Sequence, residues 1–271
     1  MKQECKSQEL IEYFKRLGLD VHTTTKARGH LGFFINGRID ISKNTPADKI
    51  NSTLIHEFTH YIHSKIETNI AKNGGSLQKI FKTDDNLEEE LLKVTNFVDN
   101  NSKCEKLFMH KDIIKKNIKM LDEKIKNDFP NFKRSKPFKE FKKAIRGTNL
   151  KYLLKYDKVR IMPWFLFGKA EILSISTIEQ DFPNLKPAFA DYIRLKSYLR
   201  KQNRISARIL KLQKYYKRPT ELFARFTEGL YTDKNKVEEL APLAYKRFFE
   251  LLNSGYYNEL KNVFEILDIK E

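Results

Sequence analysis

Thr53-Leu54-Ile55-His56-Glu57-Phe58-Thr59-His60-Tyr61-Ile62 is the stretch from which the rest of the chain can be read. On a helix, residues four apart share a face with their Cβ atoms about 5–6 Å apart, so His56 and His60 can close on one metal ion. Two imidazole nitrogens suit Zn2+, and Glu57, one place on, can hold and deprotonate a water. The spacing is H-E-x-x-H, a modest signal as five letters and a stronger one with its flanks. A surface helix would carry Lys or Glu on its remaining faces, whereas Leu54, Phe58, Thr59 and Tyr61 are uncharged and Ile55 and Ile62 are apolar. The expectation is a buried helix whose metal face alone meets a cleft.

Upstream of that helix, Thr45, Pro46 and Asp48 read as a cap, a first-turn proline and a first-turn acid. The helix should then run to Ile66 or Ile70, before the break at Asn73-Gly74-Gly75-Ser76. Two short β-rich runs, Gly32 to Ile35 and Arg38 to Ser42, flank Asn36-Gly37, the dipeptide that best accepts two consecutive positive φ angles. They predict a hairpin, and residues 19–25 predict a further strand. Leu10, Ile11, Phe14 and Leu17 recur at helical spacing and stop at Gly18.

Zinc in a catalytic site usually keeps three protein ligands and one open position. The longer pattern H-E-x-x-H-x-x-G-x-x-H fails here, because His63 stands at its glycine and Ile66 at its last histidine. His63 itself would strain a tetrahedron already holding two ligands from the same straight helix. A better source is Arg218-Pro219-Thr220-Glu221-Leu222-Phe223-Ala224-Arg225-Phe226-Thr227-Glu228. Pro219 is preset for a first helical turn, Glu221 lies close to that start, and the small Ala224 permits close approach to a second helix. Glu228 lies on the same face two turns later and is the rival ligand. A Glu221 that merely answers the helix dipole is the plainer alternative.

This segment resembles the E-L-F-A-R-x-x-E stretch of the gluzincin-type zincin metallopeptidases, a group that includes anthrax lethal factor, the Pro-Pro endopeptidases and zincin modules of phage and mobile-element proteins. The resemblance covers residues 30–70 and 212–231. It implies Glu221 as the third zinc ligand, beside His56 and His60. It also implies a tyrosine shortly before that ligand, hydrogen-bonding the developing oxyanion; Tyr215 fits the offset slightly better than Tyr216. Two departures stand out. The interval from His60 to Glu221 is far longer than in compact members, and Arg225 occupies a place where several members carry an acid.

The long interval is basic. Residues 101–218 hold 31 Lys and Arg against 11 Asp and Glu, whereas residues 1–100 hold 14 of each. Such a block can meet nucleic acid, an anionic surface or an acidic protein; the plain reading is a set of solvated helix faces. Its periodicity predicts helices over residues 85–128 and 138–147, a basic linker at 131–136, and helices at 186–201 and 206–216. The aromatic run at residues 161–167, with the only tryptophan, reads as a core plug. Cys5 and Cys104 offer no disulfide framework, and no apolar run reaches a membrane span, so the expected compartment is the cytoplasm, without a membrane partner.

The expected fold is therefore α+β and mostly helical: a zincin-like core over residues 1–100 and 215–271, with a small antiparallel sheet, and a basic helical insert over 101–214. The expected activity is that of a zinc metalloendopeptidase acting on a peptide or protein substrate. The alternative is a mobile-element or phage-associated protein whose insert binds nucleic acid or a protein partner, its zinc site structural or vestigial.

Overall fold

Asn36 and Gly37 take φ angles of 47° and 78°, the left-handed pair that a two-residue hairpin requires. The computed structural model describes residues 2–24, 31–67, 74–99, 103–162 and 170–269. It opens with helix α1 (Lys2–Arg16) and strands β1 (Asp20–Thr24), β2 (Gly32–Ile35) and β3 (Arg38–Ser42). β2 and β3 pair antiparallel across the Asn-Gly turn, Ile35 opposite Arg38. The sheet is not all antiparallel as expected, because β1 joins the other side of β3 in parallel, Asp20 opposite Arg38. A turn dipeptide specifies only its own pair, and nothing local to residues 19–24 dictates their neighbour.

α2 (Ile50–Ile66) carries the quoted stretch and follows a single 3-10 turn, Ala47–Lys49. Thr45 does not cap it: its hydroxyl donates to the Leu31 carbonyl at 2.9 Å and ties the helix entrance to the sheet. Leu54, Ile55 and Phe58 are fully buried, as uncharged flanks require. Next come α3 (Leu77–Phe81) and α4 (Glu88–Val98). The first of these lies just past Gly74 and Gly75, both at positive φ; Asn73 and Thr25 fall outside the described residues.

Contacts divide the chain into two compact units, residues 1–100 with 212–271 and residues 101–211. The second unit contains α5 (Lys103–Asp128), α6 (Lys136–Ala144), strands β4 (Lys158–Ile161) and β5 (Glu171–Ser174), α7 (Ile178–Asp181) and most of α8 (Pro187–Tyr216). It is not wholly helical, because β4 and β5 pair antiparallel. Residues 131–136 are not a linker either, since Phe132 is buried in that unit's core with Phe138, Phe141 and Phe189. Helix α8 is continuous where two helices were expected: residues 202–204 are polar, but 202–205 contain neither Gly nor Pro, and polarity alone does not stop a helix. The tryptophan lies outside the described residues.

α9 (Pro219–Leu240), α10 (Pro242–Asn253) and α11 (Asn258–Ile266) return to the first unit. α9 lies between α2 and α4, with Phe223, Ala224 and Phe226 fully buried. The hydroxyls of Thr59 and Thr227 meet at 2.7 Å and clasp α2 to α9. Against α4 the packing is also tight: a Cβ on Gly229 would stand 2.9 Å from Val94 Cγ1. The described residues are thus mostly helical with two small sheets. Among the described residues, no helix is long and apolar enough to cross a membrane.

Candidate metal centre

α2 presents His56 and His60 one turn apart, their rings 4.9 Å between centroids and nearly perpendicular. α9 begins at Pro219 and reaches the same point with its third residue. Glu221 Oε2 lies 3.7 Å from His56 Nε2, and Glu221 Oε1 lies 3.4 Å from His60 Nε2. One ligand atom from each of the three falls within 4.8 Å of the others. Glu221 Oε2 is buried without a hydrogen-bond partner.

That orphaned oxygen tests whether a metal suits the site. An unpaired buried carboxylate oxygen is costly, and a cation removes the cost. Two ligands about 2.0–2.2 Å from a tetrahedral ion lie roughly 3.4 Å apart; each imidazole has one Glu221 oxygen near that spacing, Oε2 for His56 and Oε1 for His60. Two imidazole nitrogens and one carboxylate oxygen are also a donor set that zinc accepts. The residues fit.

His56 is held from behind. Its Nδ1 meets Glu228 Oε2 at 3.1 Å, and Arg225 donates to the same oxygen from 2.9 Å. Burial works against a charged His56, but the Glu228 hydrogen bond and nearby carboxylates outweigh it and raise its pKa. Burial drives His60 well below the usual imidazole range, aided by His56 and His63, so it is neutral. A neutral ring is the form that binds metal. The structure therefore gives Glu228 a role that the sequence reading lacked. It is neither a spare acid nor a ligand on the Nε2 side, but the group that fixes the orientation of His56. Glu228→Ala would therefore remove a buried partner of both His56 and Arg225. Seven residues separate Glu221 from Glu228, two helical turns, and that spacing was the available signal.

Glu57 is 5 % exposed, and burial pushes its carboxyl up to about 7, with His56 opposing and Glu221 adding to the rise. Its Cγ rests against the start of β2, where a Cβ on Gly32 would lie 3.1 Å from it and 2.8 Å from Thr53 Cγ2. Gly32→Ala is accordingly expected to destabilise by about 1–3 kcal/mol through overpacking and to displace Glu57. Thermal melting checks this, and an unchanged midpoint would mean that the strand simply backs away.

The two tyrosines ending α8 separate cleanly. Tyr215 hydrogen-bonds Glu221, and burial with that carboxylate raises its pKa. Tyr216 donates to Asp99 instead, its ring beneath the Arg225 guanidinium. His63 stays apart from the ligand group, fully buried edge-on to Phe223. The acidic run at residues 88–90 is also used elsewhere: Glu88 pairs with Lys217, and Glu90 accepts from the Ala244 amide. No protein-family model, curated protein or solved structure matches this chain.

Proposed function

We propose that this chain is a zinc-dependent endopeptidase with a gluzincin-type zincin core. The observation that carries the reading is the convergence of His56, His60 and Glu221 donor atoms within 4.8 Å, with the buried Glu57 carboxyl on the next residue of the same helix. When bound, zinc supplies a Lewis acid that polarises a carbonyl and acidifies water. Glu57 takes the proton of the attacking water and passes it to the leaving amine. Tyr215, now bonded to Glu221, turns its hydroxyl toward the oxygen that gains charge. β2, an edge strand among the described residues, gives a peptide substrate main-chain partners beside α2. The compartment belonging to this reading is the cytoplasm.

Purified chain is expected to hold one zinc and to cleave members of a peptide library. Stripping with 1,10-phenanthroline abolishes cleavage, and added Zn2+ restores it. A chain that takes up no zinc, or that cleaves equally after stripping, sinks the reading.

A further inference from the structure

We propose that the second unit binds single-stranded nucleic acid, seating one base in the cleft beside Phe132 and Tyr192 while the backbone follows the cations of residues 133–146. This inference rests on residues 101–211 alone and is independent of the metal centre.

Charge is the first observation. Residues 101–211 hold 28 Lys and Arg against 11 Asp and Glu, an excess equal to the +17 of the entire chain. Seven of these cations fall between residues 133 and 146, every one exposed, against a single acid, Glu140. The arrangement follows from local structure. α6 turns Phe138 and Phe141 into the core, so its lysines stand on the opposite face. Among the described residues, the one ion pair within this run is Lys136 with Glu140, at 4.0 Å. A row of seven cations with one internal acid keeps a strong positive field and attracts a polyanion.

The cleft is the second observation, and it selects among polyanions. A cavity of about 360 Å³ opens next to the cationic run. Ile125, Phe132, Tyr192 and Leu195 line it, with Lys133 and Arg134 also on its wall. The Phe132 and Tyr192 rings lie 5.5 Å apart, and Phe138 braces Tyr192 edge-on at 5.1 Å. Both rings are therefore held by packing rather than free to fold away. Asp122, also on the wall, comes within 2.6 Å of Lys126, which balances its charge. Such a cavity accepts a flat unsaturated ring, and its adjacent cations accept an anion on the same molecule. A nucleotide joins the two. An acidic peptide would satisfy the lysines but leave the apolar wall uncovered. A duplex would have to unstack a base before the cleft could be filled, at a cost of a few kcal/mol.

The test uses the full chain and fluorescence anisotropy with a labelled oligothymidylate of about 20 nucleotides, several times the footprint of a small module. Binding is expected at about 50 mM salt; with four phosphates engaged, affinity falls roughly fifty-fold by about 200 mM. An abasic strand of equal length and charge is expected to bind at least about five-fold more weakly, the lower bound for one stacked base. Lys133→Glu with Arg134→Glu, both exposed and outside the core, should weaken binding at least about ten-fold. Lys106→Glu with Lys111→Glu makes the same charge change at least about 16 Å up α5 from Asp122 on the cleft wall, beyond the roughly 14 Å screening length at about 50 mM salt, and should cost under about three-fold. Four results would overturn the inference: no binding at low salt, equal binding of the abasic strand, equal effects of the two double variants, or equal binding of duplex or polyglutamate.

Discussion

Glu57→Gln is expected to leave zinc bound and to slow peptide hydrolysis by at least about 100-fold, the lower range for loss of a positioned base. Glutamine fills the same volume beside Gly32 and Thr53, so α2 and β2 should keep their packing. Glu57 is not among the three converging donors, which leaves metal affinity to His56, His60 and Glu221. What the amide cannot do is accept a proton. Zinc content and turnover, measured on one preparation, therefore separate the base from the ligands; near-normal turnover with zinc in place would remove Glu57 from the mechanism.

The same substitution has a pH signature in the metal-free chain. The Glu57 carboxyl lies near 7 in the fold against an ordinary 4.5. A raised pKa means that the native state holds the extra proton between those values. Its stabilising contribution is full below about 4.5 and is lost as pH rises through about 7. Glutamine has no proton to lose, so the metal-free variant should keep its melting temperature from pH 5 to pH 8 better than the parent does. Parallel pH curves for the two proteins would contradict the burial argument.

Local chemistry was what the sequence disclosed best. Asn36-Gly37 fixed a hairpin because few dipeptides accept two left-handed residues, and Pro219 marked the first turn of α9 because its φ is preset. The uncharged flanks of His56 and His60 gave a buried α2 for the same kind of reason. What stayed hidden depended on distant partners. The parallel seat of β1 beside β3 is a choice among neighbours, not a property of residues 20–24. Phe132 looked like part of a basic linker because the other five residues at 131–136 are polar and three are charged, yet one aromatic ring with Phe138 and Phe189 to pack against is enough to fold the segment inward. At the site, spacing placed Glu221 and Glu228 on one helix face but did not apportion them. Only the approach of α9 to α2 sets one carboxylate at the Nε2 side of His56 and the other at Nδ1.

That division predicts opposite behaviour for two carboxylates seven residues apart. Glu228→Ala removes the acceptor of His56 Nδ1 and of Arg225 Nη1, on a guanidinium that is largely buried and whose Nε has no hydrogen-bond partner. Breaking such a pair costs about 3–5 kcal/mol. At about 2–4 °C per kcal/mol for a unit of this size, the metal-free melting temperature should fall by roughly 6–20 °C. Zinc affinity should fall about 10- to 100-fold as well, the usual effect of losing a group that orients a ligand. Glu221→Ala takes away a ligand itself, so its loss of affinity should exceed that range. Its metal-free form, however, sheds a buried oxygen that had no hydrogen bond and loses only the acceptor of Tyr215, so it should melt less far below the parent than Glu228→Ala does. Calorimetric melting with and without zinc reads both effects in one experiment. If Glu221→Ala kept parental zinc affinity while Glu228→Ala lost it, the ligand and orienting roles would be exchanged, and His56 would present Nδ1 rather than Nε2 to the metal.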